Sequence, residues 1–216
     1  MPSYFTWAAI AALLNLKVLP LMFHVRFYYY VAKNMFVKHS QYADNVYKST
    51  VIKTFTPFLE MDLYLHKSNS TYFSDMDISR TDLMTTVLKR FYQKFNDPDL
   101  PPLKPWQFIY SPLGSTNMVF RKEIKGYTPY EVKSFIIGWT NKWLFVLSVF
   151  QSAGGKTIYA YGLSKYVLKQ GRKTISPQTA IEFCGLLTPQ AIEKNKAVQK
   201  YLQDSLDLED IIKLAD

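Results

Sequence analysis

The sequence predicts an α+β domain in which an antiparallel β-sheet wraps around one long central helix. The order of the segments is one strand, one long helix and then several strands with short turns between them, and short turns make successive strands antiparallel neighbours. Aromatic residues make up 16% of the 216 residues, and flat rings pack well on a pleated sheet. The apolar share, 48%, is enough to bury a core of ordinary size.

The N-terminal segment, residues 4–23, is dominated by apolar side chains and predicts an anchor helix. About 20 apolar residues are needed to span a bilayer, but Asn15, Lys17 and Pro20 interrupt the second half of the segment. Three interpretations therefore stay open: a membrane-spanning anchor, an amphipathic helix in the plane of the membrane, or a mitochondrial presequence. We favour an uncleaved anchor, because the segment begins without the Arg and Ser residues typical of a presequence.

Basic residues follow the apolar segment, and no acidic residue precedes Asp44. Arg26, Lys33 and Lys38 outnumber the charges before the segment, so the positive-inside rule predicts that the following domain faces the cytosol or the mitochondrial matrix. We therefore expect a protein attached to the endoplasmic reticulum or to a mitochondrial membrane.

The domain is expected to begin with a strand over residues 48–58, which are rich in Val, Ile, Thr and Phe. From Ser68 onward the apolar residues recur with helical spacing, and Asp97, Pro98 and the pair Pro101–Pro102 end the pattern. This spacing predicts a helix of about 26 residues.

Further strands are predicted at residues 106–110, 117–125, 130–139, 143–151 and 156–169, with turn residues between them. From Pro177 the chain is predicted to be loop and helix, with one helix opening at Thr188–Pro189 and another over residues 208–214. The chain is thus divided into an anchor and connector (residues 1–40), a domain (41–180) and a helical tail (181–216).

The formal charge of +9 is concentrated in residues 104–176, which hold eleven Lys or Arg but only two acidic residues, Glu123 and Glu131. This basic region suits phosphates, whether of coenzyme A, of anionic lipids or of nucleic acid. It is equally consistent with a solvated strand face. No motif of basic and aromatic residues typical of a nucleic-acid reader is present, so a nucleic-acid partner is not predicted.

The residues that are most informative about chemistry lie between the first strand and the long helix, and read Glu60-Met61-Asp62-Leu63-Tyr64-Leu65-His66-Lys67-Ser68-Asn69-Ser70-Thr71-Tyr72. They bring two carboxylates, a His and an Asn to the start of a helix. Backbone N–H groups at a helix start lack intrahelical partners and can polarise a carbonyl oxygen. A nearby carboxylate can activate water or attack directly. The pattern therefore predicts an acyl-transfer site.

This stretch resembles the motif D-x-D-x-x-x-H-x-N-N-x-x-Y of the hotdog-fold acyl-CoA thioesterases, and in particular the membrane-anchored branch of that family. Asp62, His66, Asn69 and Tyr72 stand on matching positions. The resemblance implies a hotdog fold, hydrolysis of acyl-CoA or another acyl thioester, and a homodimer. Coenzyme A then enters as part of the substrate, and no separate cofactor is expected.

The resemblance also implies a role for each residue of the motif. Catalytic roles fall on Glu60, Asp62 and His66, and substrate contacts on Ser68, Asn69 and Tyr72. Strand-end residues expected to hold the phosphates of coenzyme A are Arg121, Lys122, Arg172 and Lys173. Structural interpretations stay open as well, because Asp62 can order a turn, His66 can be a structural hydrogen-bonding residue, and Ser68 or Asn69 can cap the helix.

Two positions depart from the family motif. Glu60 stands where the family has its first Asp, which the resemblance implies is the catalytic carboxylate, and Ser68 replaces the first Asn. These departures leave open a second interpretation, a catalytically inactive hotdog module that binds lipid or a protein partner at the membrane. No metal site is predicted, because three His and one Cys are scattered along the chain.

Overall fold

The structure is a computed structural model that describes residues 3–37, 42–93 and 108–203. Its helices are α1 (Tyr4–Leu14), α2 (Met22–Phe36), α3 (Tyr72–Val87), α4 (Lys89–Gln93), α5 (Pro177–Phe183) and α6 (Pro189–Gln203). Its strands are β1 (Thr50–Phe55), β2 (Ile109–Tyr110), β3 (Leu113–Phe120), β4 (Pro129–Trp139), β5 (Leu144–Gln151), β6 (Ile158–Tyr166), β7 (Leu168–Gln170) and β8 (Lys173–Ile175). Short 3₁₀ turns at Leu16–Val18, Phe58–Glu60 and Asn69–Thr71 join some of them.

The main sheet has five antiparallel strands in the order β1-β4-β5-β6-β3. Helix α3 packs across one face of this sheet and contacts β1, β4 and β5. Strand β4 alternates along its length, with Tyr130, Val132, Ser134 and Ile136 buried and the residues between them partly exposed, as expected for a strand with one face on the core. The predicted α+β domain, with an antiparallel sheet around a central helix, is confirmed.

Small residues line the contact between helix α3 and the sheet. The hydroxyl of Ser79 on the helix lies 2.7 Å from that of Ser134 on β4, which in turn lies 2.7 Å from that of Ser148 on β5. A Cβ atom added at Gly162 on β6 would lie 2.2 Å from Sδ of Met76. The glycine therefore provides the space that the Met76 side chain fills.

A second, three-stranded sheet in the order β2-β7-β8 extends the fold, and the C-terminal helix α6 packs on β4. Asn195 of α6 donates to the backbone O of Trp139 (3.1 Å) and accepts from its backbone N–H (2.8 Å). This double hydrogen bond satisfies both polar backbone groups of Trp139 at the end of β4.

The predicted anchor helix over residues 4–23 is wrong, because the chain breaks in the middle of this segment. Helix α1 ends at Leu14, a 3₁₀ turn follows, and Leu21 adopts a left-handed backbone conformation (φ 67°) before α2 begins. Helix α2 then packs on α3. Within the described ranges, no helix is both long enough and apolar enough to cross a membrane.

The remaining differences from the sequence predictions are smaller. The predicted helix of about 26 residues is divided, because Leu88 leaves helical geometry between α3 and α4. The strand predicted at residues 117–125 begins four residues earlier and ends at Phe120, and the one predicted at 156–169 is split between the two sheets. The helix predicted over residues 208–214, the end of the long helix from residue 94 and the strand start at residues 106–107 lie outside the described residues.

Candidate active site

Residues 60–68 form a tight hairpin between β1 and the helical run that begins at Asn69; we call it the 60–68 hairpin. The amide of Ser68 donates to the carbonyl of Glu60 (2.8 Å), and the amide of Asp62 donates to the carbonyl of His66 (3.0 Å). Leu65 turns the chain with φ 60°. On its outer side the hairpin is tied to residues 124–125, since the amide of Lys67 donates to the carbonyl of Ile124 (2.8 Å).

The tip of the hairpin carries a carboxylate–imidazole pair that is open to solvent. Oδ2 of Asp62 lies 3.2 Å from Nδ1 of His66, and these side chains are 32% and 26% exposed. The other oxygen of Asp62 accepts from the amide of Tyr64 at 2.9 Å, and the Tyr64 ring stacks on the imidazole. On the far side of the imidazole, Nε2 lies 4.0 Å from Oε2 of Glu123. Two fixed contacts thus orient Asp62, and His66 stands between two carboxylates.

The base of the hairpin is held in a buried ion cluster, made of Lys17, Arg26, Glu60, Lys67, Asp75 and Tyr130. Glu60 is only 3% exposed, and its Oε2 accepts from Lys17 (2.8 Å) and Lys67 (2.7 Å). The same two ammonium groups donate to Oδ2 of Asp75, at 2.7 Å and 3.0 Å. Glu60, expected to be the working carboxylate, is therefore enclosed and already paired with two cations.

The electrostatics of the buried ion cluster centre on Asp75. Burial by itself would raise the pKa of this carboxyl, but Lys17, Lys67 and Arg26 together hold the pKa well below its ordinary value. Desolvation lowers the pKa of Lys17. Burial, followed by the charge of Asp75 and the hydrogen bond to it, raises the pKa of Tyr130 well above its ordinary value. Asp75 is thus held ionised, and Tyr130 serves as a neutral hydrogen-bond donor.

The start of the helical run beside the hairpin leaves two backbone amides available. In the part of the chain that the structure describes, the N–H groups of Asn69 and Ser70 have no hydrogen-bond acceptor. The side chains of Ser68 and Asn69 do not cap the helix, and the Ser68 hydroxyl pairs with that of Ser70 (3.1 Å). Free amides at the positive end of a helix attract a developing oxyanion.

The other expected site residues are distributed unequally. Tyr72 is buried in the core against Phe120 and Phe150, and its substrate contact stays a prediction. Arg121 and Lys122 are exposed and directly precede residues 123–125, which border the hairpin. Arg172 in the turn between β7 and β8 and Lys173 at the start of β8 are exposed, and they make no hydrogen bond or ion pair with the hairpin within the described ranges.

An apolar cavity of about 500 Å³ lies between α2, α3 and the start of β3. Its lining residues include Phe27, Val31 and Met35 from α2, Met84 from α3, and Ile109 and Leu113. Two charged residues, Asp77 and the buried Arg80, also line the cavity. Oδ1 of Asp77 lies 2.6 Å from Nη2 of Arg80. The volume is within the range of about 300–1,000 Å³ typical of sites for small molecules.

Sequence reasoning missed Lys17, Lys67, Asp75, Tyr130 and Glu123 as parts of this region. Lys67 lies inside the motif, but a lysine there has no role in the family pattern. Lys17 and Tyr130 are separated by 113 positions, so no local signal in the sequence connects them. Glu123 is one of two acidic residues in a basic region, and the sequence assigns it no further role.

Curated relatives of this chain are thioesterases by name. The probable thioesterase YBR096W of Saccharomyces cerevisiae is 37% identical over 219 residues, which covers 95% of this chain and 88% of that protein. The thioesterase poxG of Penicillium oxalicum is 33% identical over 85% of this chain and 71% of its own length. No family model matches the chain.

Among solved structures, the probable thioesterase YbaW of Escherichia coli superposes with a TM-score of 0.50. The superposition covers 65% of this chain and 98% of YbaW, at 16% sequence identity. A similarity at this level of identity concerns the fold alone.

Proposed function

Because this chain belongs to the hotdog-fold thioesterases, we propose that it hydrolyses acyl thioesters at the tip of the 60–68 hairpin. The observations that carry this proposal are the partly exposed Asp62–His66 pair at the tip of the hairpin and the free amides of Asn69 and Ser70, which directly follow the hairpin in the chain. A base and an oxyanion-binding pair are the two groups that hydrolysis of a thioester needs.

Asp62, rather than Glu60, is the carboxylate proposed to act. A catalytic base must come within hydrogen-bonding distance of the water or the substrate. Glu60 is enclosed by Lys17 and Lys67, whereas Asp62 is a third exposed. Asp62 removes a proton from a water molecule, whose oxygen attacks the thioester carbonyl carbon while the amides of Asn69 and Ser70 stabilise the oxyanion. The carbon–sulfur bond then breaks, and the proton held by the Asp62–His66 pair passes to the leaving thiolate.

The cavity between α2 and α3 is the proposed site for the acyl group. It is apolar on most of its surface, and α3 connects it to the hairpin, since the helix that starts beside Asn69 also carries Met84. Arg121 and Lys122 are the proposed contacts for the phosphates of coenzyme A, because they are exposed beside the hairpin and cations bind phosphate.

The direct test uses the purified protein with all 216 residues and acyl-CoAs of several chain lengths. Hydrolysis is measured as the amount of free thiol that is released. We expect turnover well above the buffer rate for at least one chain length. Absence of turnover for the whole panel would remove the proposed function. It would favour the second candidate, a lipid- or partner-binding module without activity, which is suggested by the enclosure of Glu60.

Membrane attachment is proposed through α1 rather than through a spanning helix. All eleven residues of α1 are at least partly exposed, including Tyr4 (94%) and Phe5 (87%). A helix of this length extends about 16 Å, which suits insertion into one leaflet. We expect the protein to sediment with lipid vesicles, and Phe5→Asp together with Leu13→Asp to abolish this; unchanged sedimentation would refute it. The endoplasmic reticulum and the mitochondrion stay alternative locations.

A homodimer is proposed through β3, which forms one edge of the main sheet. Leu113, Val119 and Phe120 are exposed along it, and an edge strand with apolar side chains and unpaired backbone groups favours pairing with a second copy. Sedimentation velocity should give twice the monomer mass of 25.2 kDa. A Val119→Lys variant is expected to shift the protein towards the monomer, and a monomeric wild type would contradict the proposal.

A further inference from the structure

The N-terminal segment contributes Lys17 and Arg26 to the buried ion cluster, and the Lys17 side chain is the more enclosed of the two, at 5% against 20% exposed. We propose that Lys17 is a positioning residue for hydrolysis. Its ammonium group joins Glu60, at the base of the 60–68 hairpin, to Asp75 on α3, and so fixes the Asp62–His66 pair against the free amides at the helix start. This inference rests on the proposed thioesterase function.

The contacts of Lys17 connect three separate parts of the chain. Its Nζ donates to the backbone carbonyl of Phe55 at the end of β1 (3.0 Å), to Oε2 of Glu60 (2.8 Å) and to Oδ2 of Asp75 (2.7 Å). A lysine ammonium carries three hydrogens, and these contacts use all of them, with the hydroxyl of Tyr130 a more distant partner at 3.4 Å. The group is therefore held from three directions, and it holds the strand, the hairpin and the helix together.

These contacts position the tip of the 60–68 hairpin, because residues from both strands of the hairpin belong to the buried ion cluster. Glu60 precedes Asp62 by two residues, and Lys67 directly follows His66. Both cluster side chains are buried, and Lys67 repeats the contacts of Lys17 to Glu60 and Asp75. A shift of Glu60 away from Asp75 is thereby transmitted to Asp62, since consecutive Cα atoms are only about 3.8 Å apart.

Charge balance does not require Lys17. The carboxylates of Glu60 and Asp75 are matched in number by Lys67 and Arg26, so that Lys17 brings a third cation to two anions. Without Lys17, each buried carboxylate would still have a cationic partner, Lys67 for Glu60 and Lys67 with Arg26 for Asp75. The contribution of Lys17 is therefore geometric, because it fixes the distance between the hairpin and α3.

The test compares Lys17→Met with Asn34→Leu in the full chain. Asn34 is a matched control, because it also joins the N-terminal segment to α3, through Asp82 (2.9 Å) and Thr85 (2.9 Å). Asp82 lies seven residues beyond Asp75, about 10 Å further along the helix. Both variants are assayed on one acyl-CoA at a temperature at which thermal scans show them folded.

We expect Lys17→Met to lower kcat by about 10- to 100-fold with KM unchanged, the size of effect that a displacement of about 1 Å produces. Asn34→Leu should lower the thermal midpoint and leave kcat unchanged. Hydrogen exchange at the amides of Asp62, Lys67 and Ser68 should become faster in Lys17→Met but not in Asn34→Leu.

Two results would overturn the inference while leaving the proposed function intact. These are a folded Lys17→Met protein with the kcat of the wild type, or equal loss of kcat in both variants. Failure of the proposed function has a different signature, since in that case the wild type itself shows no hydrolysis.

Discussion

Nζ of Lys17 lies 2.7 Å from Oδ2 of Asp75 in the protein interior, although 58 positions of sequence separate the two residues. This ion pair places part of the apolar N-terminal segment inside the folded domain. Lys17 is one of the residues that interrupt the apolar segment 4–23. It is also the residue through which this segment contacts the hairpin, at Glu60, and the central helix, at Asp75.

Deletion of residues 1–40 is expected to destabilise the domain strongly, because it removes Lys17, Arg26 and Asn34 from buried contacts with α3. Loss of buried ionic partners costs about 3–5 kcal/mol, and urea denaturation would measure it. Deletion of residues 1–14 is the matched control, since it removes α1, in which no residue is buried. Equal stability of the two truncated proteins would contradict the docking of this segment.

Stability in acid should depend on Asp75. Its pKa in the folded protein lies below its ordinary value of 3.8, so the unfolded chain binds more protons as the pH falls below that value. The stabilisation is therefore complete above about pH 5 and is lost as the pH falls towards the folded pKa. Urea denaturation at a series of acidic pH values should show a shallower loss in Asp75→Asn than in wild type. Asp44→Asn, at an exposed residue, should keep the wild-type slope, and identical slopes for Asp75→Asn and wild type would refute the assignment.

Gly162→Ala is expected to destabilise the protein by about 1–3 kcal/mol, the usual effect of overpacking a core. The added Cβ would lie 2.2 Å from Sδ of Met76. In a double-mutant cycle, Met76→Ala should remove most of the cost of the added methyl group. Additive effects in chemical denaturation would show that the two positions are not in contact.

The cavity between α2 and α3 should set the preferred acyl chain. Val31→Phe places a larger side chain on its wall, so hydrolysis of the longest accepted acyl-CoA should fall relative to the shortest. Val25→Phe adds the same group to the same helix at an exposed position outside the cavity lining, and its chain-length profile should match the wild type. A shared profile for all three proteins would show that the acyl group binds elsewhere.

Much of the fold could be predicted from local patterns. The strand over residues 130–139 and the helical spacing after Ser68 reflect how single elements meet the core, and the sequence predicts both. The break at Leu88 and the division of residues 158–170 between two sheets depend on tertiary packing, which no local period encodes.

The sequence predicts a site at residues 60–72 but not which of its carboxylates is exposed and which is buried. Glu60 and Asp62 are both carboxylates within one short motif. They differ in their surroundings, since Glu60 faces the buried ion cluster and Asp62 is partly exposed. Glu60 meets Lys17, which is 43 positions away, and is enclosed, whereas Asp62 remains open beside His66. A contact between such distant residues leaves no pattern in the sequence.

The most direct test of the account compares kcat for Asp62→Asn and Glu60→Gln in the full chain, each with its thermal midpoint. We predict that Asp62→Asn abolishes measurable thioester hydrolysis with little change in the thermal midpoint, since Asp62 is at the open tip of the hairpin. Glu60→Gln should lower the midpoint and retain measurable hydrolysis in the folded fraction, because an amide oxygen can still accept the hydrogen bonds from Lys17 and Lys67. Full loss of hydrolysis in a stably folded Glu60→Gln protein, together with an active Asp62→Asn protein, would contradict the account.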